Sequence, residues 1–223
     1  MRRSHSRRAA LGLMAAAPAL AALPASAAPR SRSFRIIRDG SDIGSHRIEV
    51  SDAPLGGLLA RTEIDIAVKV LGLTAYRYAL RYEEAYRDGL LQRFSSVADD
   101  DGDDAFAKAT ADPAGLAVEG TSFVGVLPAT AVPTSYWRRA ALEAAPDWFS
   151  AQSGEPLGVS VAPMQGGPEM PKGSSAFLLS GKDDYAVEVW YDASGEWTGC
   201  AFDGRGERVH YVLEPGSARL VRS

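Results

Sequence analysis

EIDIAVKVLGLTAYRYALRYEEAY, residues 63–86, is the stretch that decides the fold, because apolar and polar side chains alternate along it. The apolar set of its first half is Ile64, Ile66, Val68 and Val70. The corresponding set of its second half is Tyr76, Tyr78, Leu80 and Tyr82. A period of two is typical of a strand with one buried and one solvated face. We therefore predict two strands here, each with its apolar set facing the core.

The same period recurs along most of the chain. Residues 34–38 run into the turn dipeptide Asp39-Gly40, and residues 43–50 follow as a partner strand, which is the pattern of a β-hairpin. In the middle, Thr134 or Ser135 is placed to cap a short helix over residues 136–144. Ten or eleven short strands with one internal helix predict an antiparallel, mostly-β domain.

Four stretches, taken in order, carry a family resemblance: RDGSDIGSH (38–46), PTSYW (133–137), WYDASGEW (190–197) and AFDGRGER (201–208). Over roughly residues 33–213 the chain resembles the bacterial exported-protein family catalogued as domain of unknown function 6134. Its opening hairpin is also similar to the exported family numbered 3108, which is similar to the lipoprotein-carrier group. The resemblance implies a mainly β fold, with a curved antiparallel sheet or open barrel and one short internal helix. It implies no activity.

Residues 1–27 have the features of a cleaved export signal. Four arginines precede an apolar, alanine-rich run over residues 9–22, and the small residues Ala25-Ser26-Ala27 suit a signal peptidase. Residues 6–11, SRRAAL, have the skeleton of a twin-arginine signal, which favours export of the folded protein over the general secretion route. We predict recognition by the export machinery, and a periplasmic or secreted product.

The remaining residues, 28–223, suit one domain. Loss of the four signal arginines changes the net charge from −4 to −8, which disfavours a nucleic acid partner because phosphate backbones would be repelled. No stretch of this part approaches the roughly 18 apolar residues of a membrane span, so no transmembrane segment is expected in the mature chain.

Metal, cofactor and catalytic signatures are weak in this sequence. The lone Cys200 fits a buried filler, and the acidic run over residues 99–104 fits a hairpin turn better than a calcium loop. His46 and His210 lack any zinc-binding spacing. No nucleophile motif accompanies them. We predict no cofactor, no metal and no catalytic residue, and a hydrolase that uses either histidine is the third hypothesis.

Aromatic residues carry the leading functional hypothesis. Between a curved sheet and a helical lid they would form either plain core or the walls of an apolar cavity. Arg205, between two glycines, could fix an anionic group of a ligand. The candidate ligand-binding residues are Tyr136, Trp137, Trp190, Trp197 and Arg205. They favour an exported, non-enzymatic binding or carrier module for an apolar or amphipathic small molecule, such as a lipid; the alternative is an envelope structural or interaction protein.

Overall fold

A computed structural model describes residues 28–144 and 147–220, so the predicted signal lies outside the described residues. The strands are β1 (Arg30–Arg38), β2 (Ser41–Ala53), β3 (Gly57–Val70), β4 (Leu73–Arg87), β5 (Leu90–Asp100), β6 (Asp103–Asp112), β7 (Gly115–Gly120), β8 (Val124–Leu127), β9 (Val132–Pro133), β10 (Trp148–Phe149), β11 (Ser160–Met164), β12 (Ser175–Ser180), β13 (Ala186–Tyr191), β14 (Trp197–Gly204) and β15 (Glu207–Leu213). One helix, α1 (Arg139–Glu143), follows β9. Among the described residues, no helix has the length and apolar character needed to cross a bilayer.

Thirteen strands form one sheet, and every neighbouring pair in it is antiparallel. The order is β11-β12-β13-β14-β15-β1-β2-β3-β4-β5-β6-β7-β8, so β1 joins the two ends of the chain by pairing with both β2 and β15. β8 and β11 remain the two edges, and the sheet is not closed. The predicted mainly β fold, an open curved sheet with one short helix, is confirmed.

Short turns rich in aspartate and glycine explain why the strands follow one another as hairpins. Asp39 and Gly40 have φ of 46° and 71°, and Asp101 and Gly102 have φ of 57° and 99°. Positive φ at both central residues is what a two-residue hairpin turn needs in order to match the twist of its strands. The acidic run over residues 99–104 is therefore a hairpin turn, as predicted.

The alternation over residues 63–86 is confirmed except near the turn, where a bulge follows Val68 and Val70 is 56% exposed rather than facing the core. Tyr82 and Leu80 are buried on β4, and Ile64 is buried on β3, where it pairs with Leu80. The same period buries an acid, because Glu84 follows Tyr82 on the inner face. Its neighbour Glu83 lies on the outer face and bonds Arg61 in solvent (2.6 Å). The sheet thus carries one carboxylate into the core.

One segment, residues 128–144 and 147–159, crosses the inner face of the sheet, and we call it the crossing segment. β9 and β10 pair within it. Phe149 packs edge-on against Phe94 of β5 (5.4 Å between ring centroids), while Tyr136 contacts Trp197 of β14 (5.9 Å). Since these two strands belong to opposite halves of the sheet, the crossing segment joins both halves into one core.

The helix of the crossing segment is shorter than predicted. It spans Arg139–Glu143 rather than residues 136–144, and Arg138 still has extended backbone (φ −109°, ψ 97°). The physical reason is that Ser135 and Trp137 both bond Glu84 on the sheet, and Tyr136 bonds Tyr185. These tertiary contacts hold the backbone extended where local propensity favours a helix.

Glu84 is fully buried and accepts three hydrogen bonds. Its Oε1 accepts from the Tyr86 hydroxyl (2.8 Å), and its Oε2 accepts from Ser135 Oγ (3.1 Å) and Trp137 Nε1 (2.8 Å). Burial raises the pKa of Glu84, and the three donors offset part of that increase. This carboxylate is the polar anchor of the crossing segment.

The tail after β15 is bonded to the rest of the fold as far as Leu220. Glu196 is buried and pairs with the buried Arg32 (2.8 Å), and it also accepts a bond from the Leu220 backbone N–H (2.9 Å). Ala218 N–H donates to Ser31 O (2.8 Å). The buried ion pair therefore fixes the tail against β1, a non-local contact that the local sequence pattern does not reveal.

We expect Glu84→Ala to lower the free energy of unfolding by about 3 kcal/mol, because it leaves three buried donors without an acceptor. Urea denaturation measures this loss. Glu83→Ala is the matched control on the adjacent position; it removes an exposed ion pair and should cost less than about 1 kcal/mol. Equal losses in the two variants would contradict the anchoring role of Glu84.

Candidate functional site

A cleft of about 430 Å³ opens between the crossing segment and the inner face of the sheet. Its aliphatic walls include Ile64 and Leu80 from β3 and β4, and Val187 from β13. Six aromatic rings complete the lining: Tyr76, Tyr78, Tyr136, Tyr185, Phe202 and Tyr211. The cleft is therefore lined by strands of both halves of the sheet and by residues of the crossing segment.

Four of the tyrosine hydroxyls around the cleft are paired within the protein, in three hydrogen bonds. Tyr76 donates to Asp100 Oδ1 (2.8 Å), and Tyr78 donates to Gln152 Oε1 (3.2 Å). Tyr136 and Tyr185 share a bond between their hydroxyls (2.7 Å). Burial, with the Asp100 bond, raises the pKa of Tyr76 to about 12, and burial raises that of Tyr185 to about 12. These phenols are neutral polar groups on apolar walls.

His46 is the exception to this pairing. The imidazole is 4% exposed, and neither Nδ1 nor Nε2 has a hydrogen-bond partner among the described residues. Aromatic rings surround it, with centroids 5.1 Å away at Trp197, 5.5 Å at Tyr211 and 6.1 Å at Phe34. Burial lowers the pKa of His46 to about 3. A neutral imidazole therefore lines the cleft with its hydrogen-bonding capacity unused.

Cys200 also lines the cleft and is buried, as predicted for a small filler. Burial raises its pKa well above the usual range of a thiol, so the sulfur stays protonated and weakly nucleophilic. No group of three or more potential metal-ligating residues occurs among the described residues. The chemistry that the cleft offers is apolar contact with a few hydrogen bonds.

Among the described residues, the charged side chains in the lining of the cleft are three aspartates: Asp100, Asp184 and Asp203. Asp100 Oδ1 is bonded by Tyr76, and Asp203 Oδ1 accepts from the Gly206 backbone N–H (2.7 Å). Asp184 is exposed in the turn before β13. Sequence reasoning missed these acids, because they lie in or next to three separate hairpins whose convergence depends on strand pairing.

Of the five predicted site residues, Tyr136 lines the cleft. Trp137, one residue later, is buried against Tyr86 and bonded to Glu84. Trp197 is fully buried, packs on Phe34 (4.3 Å between centroids) and donates to Gly199 O (2.8 Å). Trp137 and Trp197 therefore support the cleft from behind rather than line it.

The other two predicted residues do not line the cleft, although Arg205 lies beside it. Trp190 packs with Ala176 and Ala201 in a separate small cluster, covered by Met164 and Met170. Arg205 lies in the turn between β14 and β15, and its guanidinium stands 4.1 Å from the ring centre of Tyr76. It lines a second, mostly apolar cleft of about 340 Å³ that shares Tyr76 and Phe202 with the first.

The family model described as Domain of unknown function (DUF6134) matches residues 34–214. The chain belongs to this family. The match covers nearly all of the sheet, from β1 to the end of β15, and includes the crossing segment. Family membership confirms the predicted resemblance, and the similarity to the family numbered 3108 stays a prediction.

One solved structure supports the fold. The crystal structure of a beta-barrel-like protein of domain of unknown function DUF1849 from Brucella abortus is similar to this chain, with a TM-score of 0.58 at 11% identity. The similarity covers 83% of this chain and 95% of that one. No curated protein matches the chain. At this identity the likeness concerns the fold alone.

Stability should depend on pH through His46. Its pKa is about 3 in the folded chain and 6.5 when exposed, so the unfolded state gains a proton first. The contribution of the neutral imidazole to the free energy of unfolding is fully present above pH 6.5. It falls by roughly 1 kcal/mol per pH unit as the pH drops below that value. Urea denaturation at pH 7 and pH 5.5 measures the slope.

The His46→Phe variant should lose the part of this slope that comes from His46, while His210→Phe keeps the parent slope because His46 is intact. An unchanged slope in His46→Phe would refute the assignment of the buried neutral imidazole.

Proposed function

We propose that this protein is an exported, non-enzymatic binding or carrier module that holds an apolar or amphipathic small molecule in the cleft around His46. The observation that carries the proposal is a cleft with six aromatic rings and a buried imidazole whose two nitrogens have no partner among the described residues. A ligand or an ordered water would satisfy that imidazole.

The size and lining of the cleft support this role. Small-molecule sites typically occupy roughly 300–1,000 Å³ and combine apolar walls with a few polar groups. The cleft of about 430 Å³ fits that range, and the second cleft extends its apolar lining along Ile66 and Phe202 toward Val68. The two clefts share Ile66, Tyr76 and Phe202, so their apolar linings are continuous. This continuous lining suits a molecule with a hydrocarbon or aromatic body.

A second role, as an envelope interaction or structural protein, has one observation in its favour. The turn between β3 and β4 exposes apolar side chains, with Leu71 99% and Leu73 76% exposed. Exposed apolar clusters mark contact sites on many proteins. No specific observation favours the hydrolase alternative that uses His46 or His210, so we do not propose it.

Ala186→Trp tests the cleft directly. Ala186 lines the cleft from β13 and is exposed, so an indole there should fill ligand space without disturbing the core. We expect the variant to bind the neutral fluorescent probe N-phenyl-1-naphthylamine at least about tenfold more weakly than the parent. Fluorescence titration measures the affinity, and native mass spectrometry of periplasmic protein detects any copurified molecule.

Ala193→Trp is the matched control, because Ala193 is exposed in the turn after β13 and outside the cleft. The control should bind the probe like the parent. If the parent binds neither this probe nor a copurified molecule, the carrier role is wrong.

Export is tested by replacing Arg7 and Arg8 together with lysine. The twin-arginine pathway reads the arginine pair itself, so we expect the precursor to accumulate in the cytoplasm. Cell fractionation with immunoblotting measures the distribution. The variant with Arg2 and Arg3 replaced by lysine keeps the same charge and should be exported. Normal export of the Arg7/Arg8 variant would instead indicate the general secretion route.

A further inference from the structure

The charged side chains that line the cleft are all negative. Asp100 is the last residue of β5, Asp184 lies in the turn before β13, and Asp203 lies near the end of β14. Among the described residues, no lysine or arginine lines this cleft, although Arg205 of the second cleft stacks on Tyr76. Because the carboxylates stand beside low-polarity walls, their negative potential is focused into the cleft. An anionic ligand would be repelled there, and a cationic one attracted.

The aromatic walls add attraction of the same sign. The face of a tyrosine or phenylalanine ring carries negative charge density and attracts cations within about 6 Å of its centre. Tyr76 already holds such a cation, the Arg205 guanidinium at 4.1 Å. Among the described residues, no arginine or lysine stands over Tyr78, Tyr136 or Phe202. These three rings line the cleft without an internal cation.

His46 provides an independent reason to expect a ligand. It is 96% buried, lines the same cleft and has two unpartnered nitrogens. A neutral imidazole offers one lone pair and one N–H. An ammonium N–H, or a hydroxyl of the ligand, can therefore bond to it, and the residue adds no positive charge that would oppose a cation.

From these three observations we propose that the cleft selects a cationic amphiphile: an amine or quaternary ammonium group joined to an apolar body. The three aspartates and the aromatic rings of the lining recognise the cationic group. The aliphatic walls of β3, β4 and β13 hold the apolar body. This inference rests on the proposed binding function and names the chemical class of its ligand.

Three detergents with the same dodecyl chain separate the effect of charge from that of the apolar body. Dodecylammonium is cationic and carries N–H donors, dodecyl sulfate is anionic, and dodecyl maltoside is neutral. Each is titrated below its micelle-forming concentration, by isothermal calorimetry and by displacement of N-phenyl-1-naphthylamine. We expect the cationic chain to bind about tenfold more tightly than the neutral one, and the anionic chain to bind most weakly.

Two triple variants locate the selectivity. The lining variant replaces Asp100, Asp184 and Asp203 with asparagine. The control variant makes the same replacement at Asp101, Asp103 and Asp104. These three acids lie in the turn after Asp100 and at the start of β6, and they do not line the cleft. Both change the net charge equally. Only the lining variant should lose the preference for the cationic chain, while its affinity for the neutral chain is retained.

Each result decides between the two proposals. Cationic preference that is lost only in the lining variant supports the inference. Equal binding of all three chains, or equal loss in both variants, overturns the cationic class and leaves the binding function standing. Failure of every chain and of the neutral probe to bind the parent protein overturns the binding function itself.

Discussion

The buried carboxylate of Glu84 is the interaction on which the arrangement of the inner face depends. Removing a carboxylate from water costs several kcal/mol, and that cost is offset only by well-placed donors. Two of its three donors, Ser135 Oγ and Trp137 Nε1, belong to the crossing segment, and the third is Tyr86 of the same strand. The alternation of β4 thus places an acid where it binds the crossing segment to the sheet.

The same anchor sets the shape of the cleft. Ser135 and Trp137 bond Glu84, while Tyr136 between them reaches the other way and bonds Tyr185. The Tyr191 hydroxyl donates to the Tyr136 carbonyl (2.7 Å) and fixes this backbone from the second half of the sheet. Tyr136 is therefore a cleft wall because its two neighbours are occupied with an internal acid.

The sequence predicts the parts of this molecule that depend on local pattern. The strands around residues 63–86 and the Asp39-Gly40 turn follow from side-chain period and turn chemistry. The extended backbone before α1 does not, since it depends on Glu84, about 50 residues earlier. For the same reason the sequence indicates Tyr136 as a site residue but gives no sign that Trp190 lies in another cluster, or that His46 lies in the cleft.

Buried polar groups in the core and in the cleft differ in whether they have hydrogen-bond partners within the protein. Glu84 has three donors, and the buried Arg32–Glu196 pair fixes the tail. Other buried side chains leave one atom without a hydrogen-bond partner among the described residues, such as the indole N–H groups of Trp148 and Trp190 and one carboxylate oxygen of Glu188, whereas His46 leaves both ring nitrogens unpaired. Leaving a buried polar group unpaired costs about 1–3 kcal/mol. Because His46 also lines the cleft, a molecule bound there is the partner that would offset this cost.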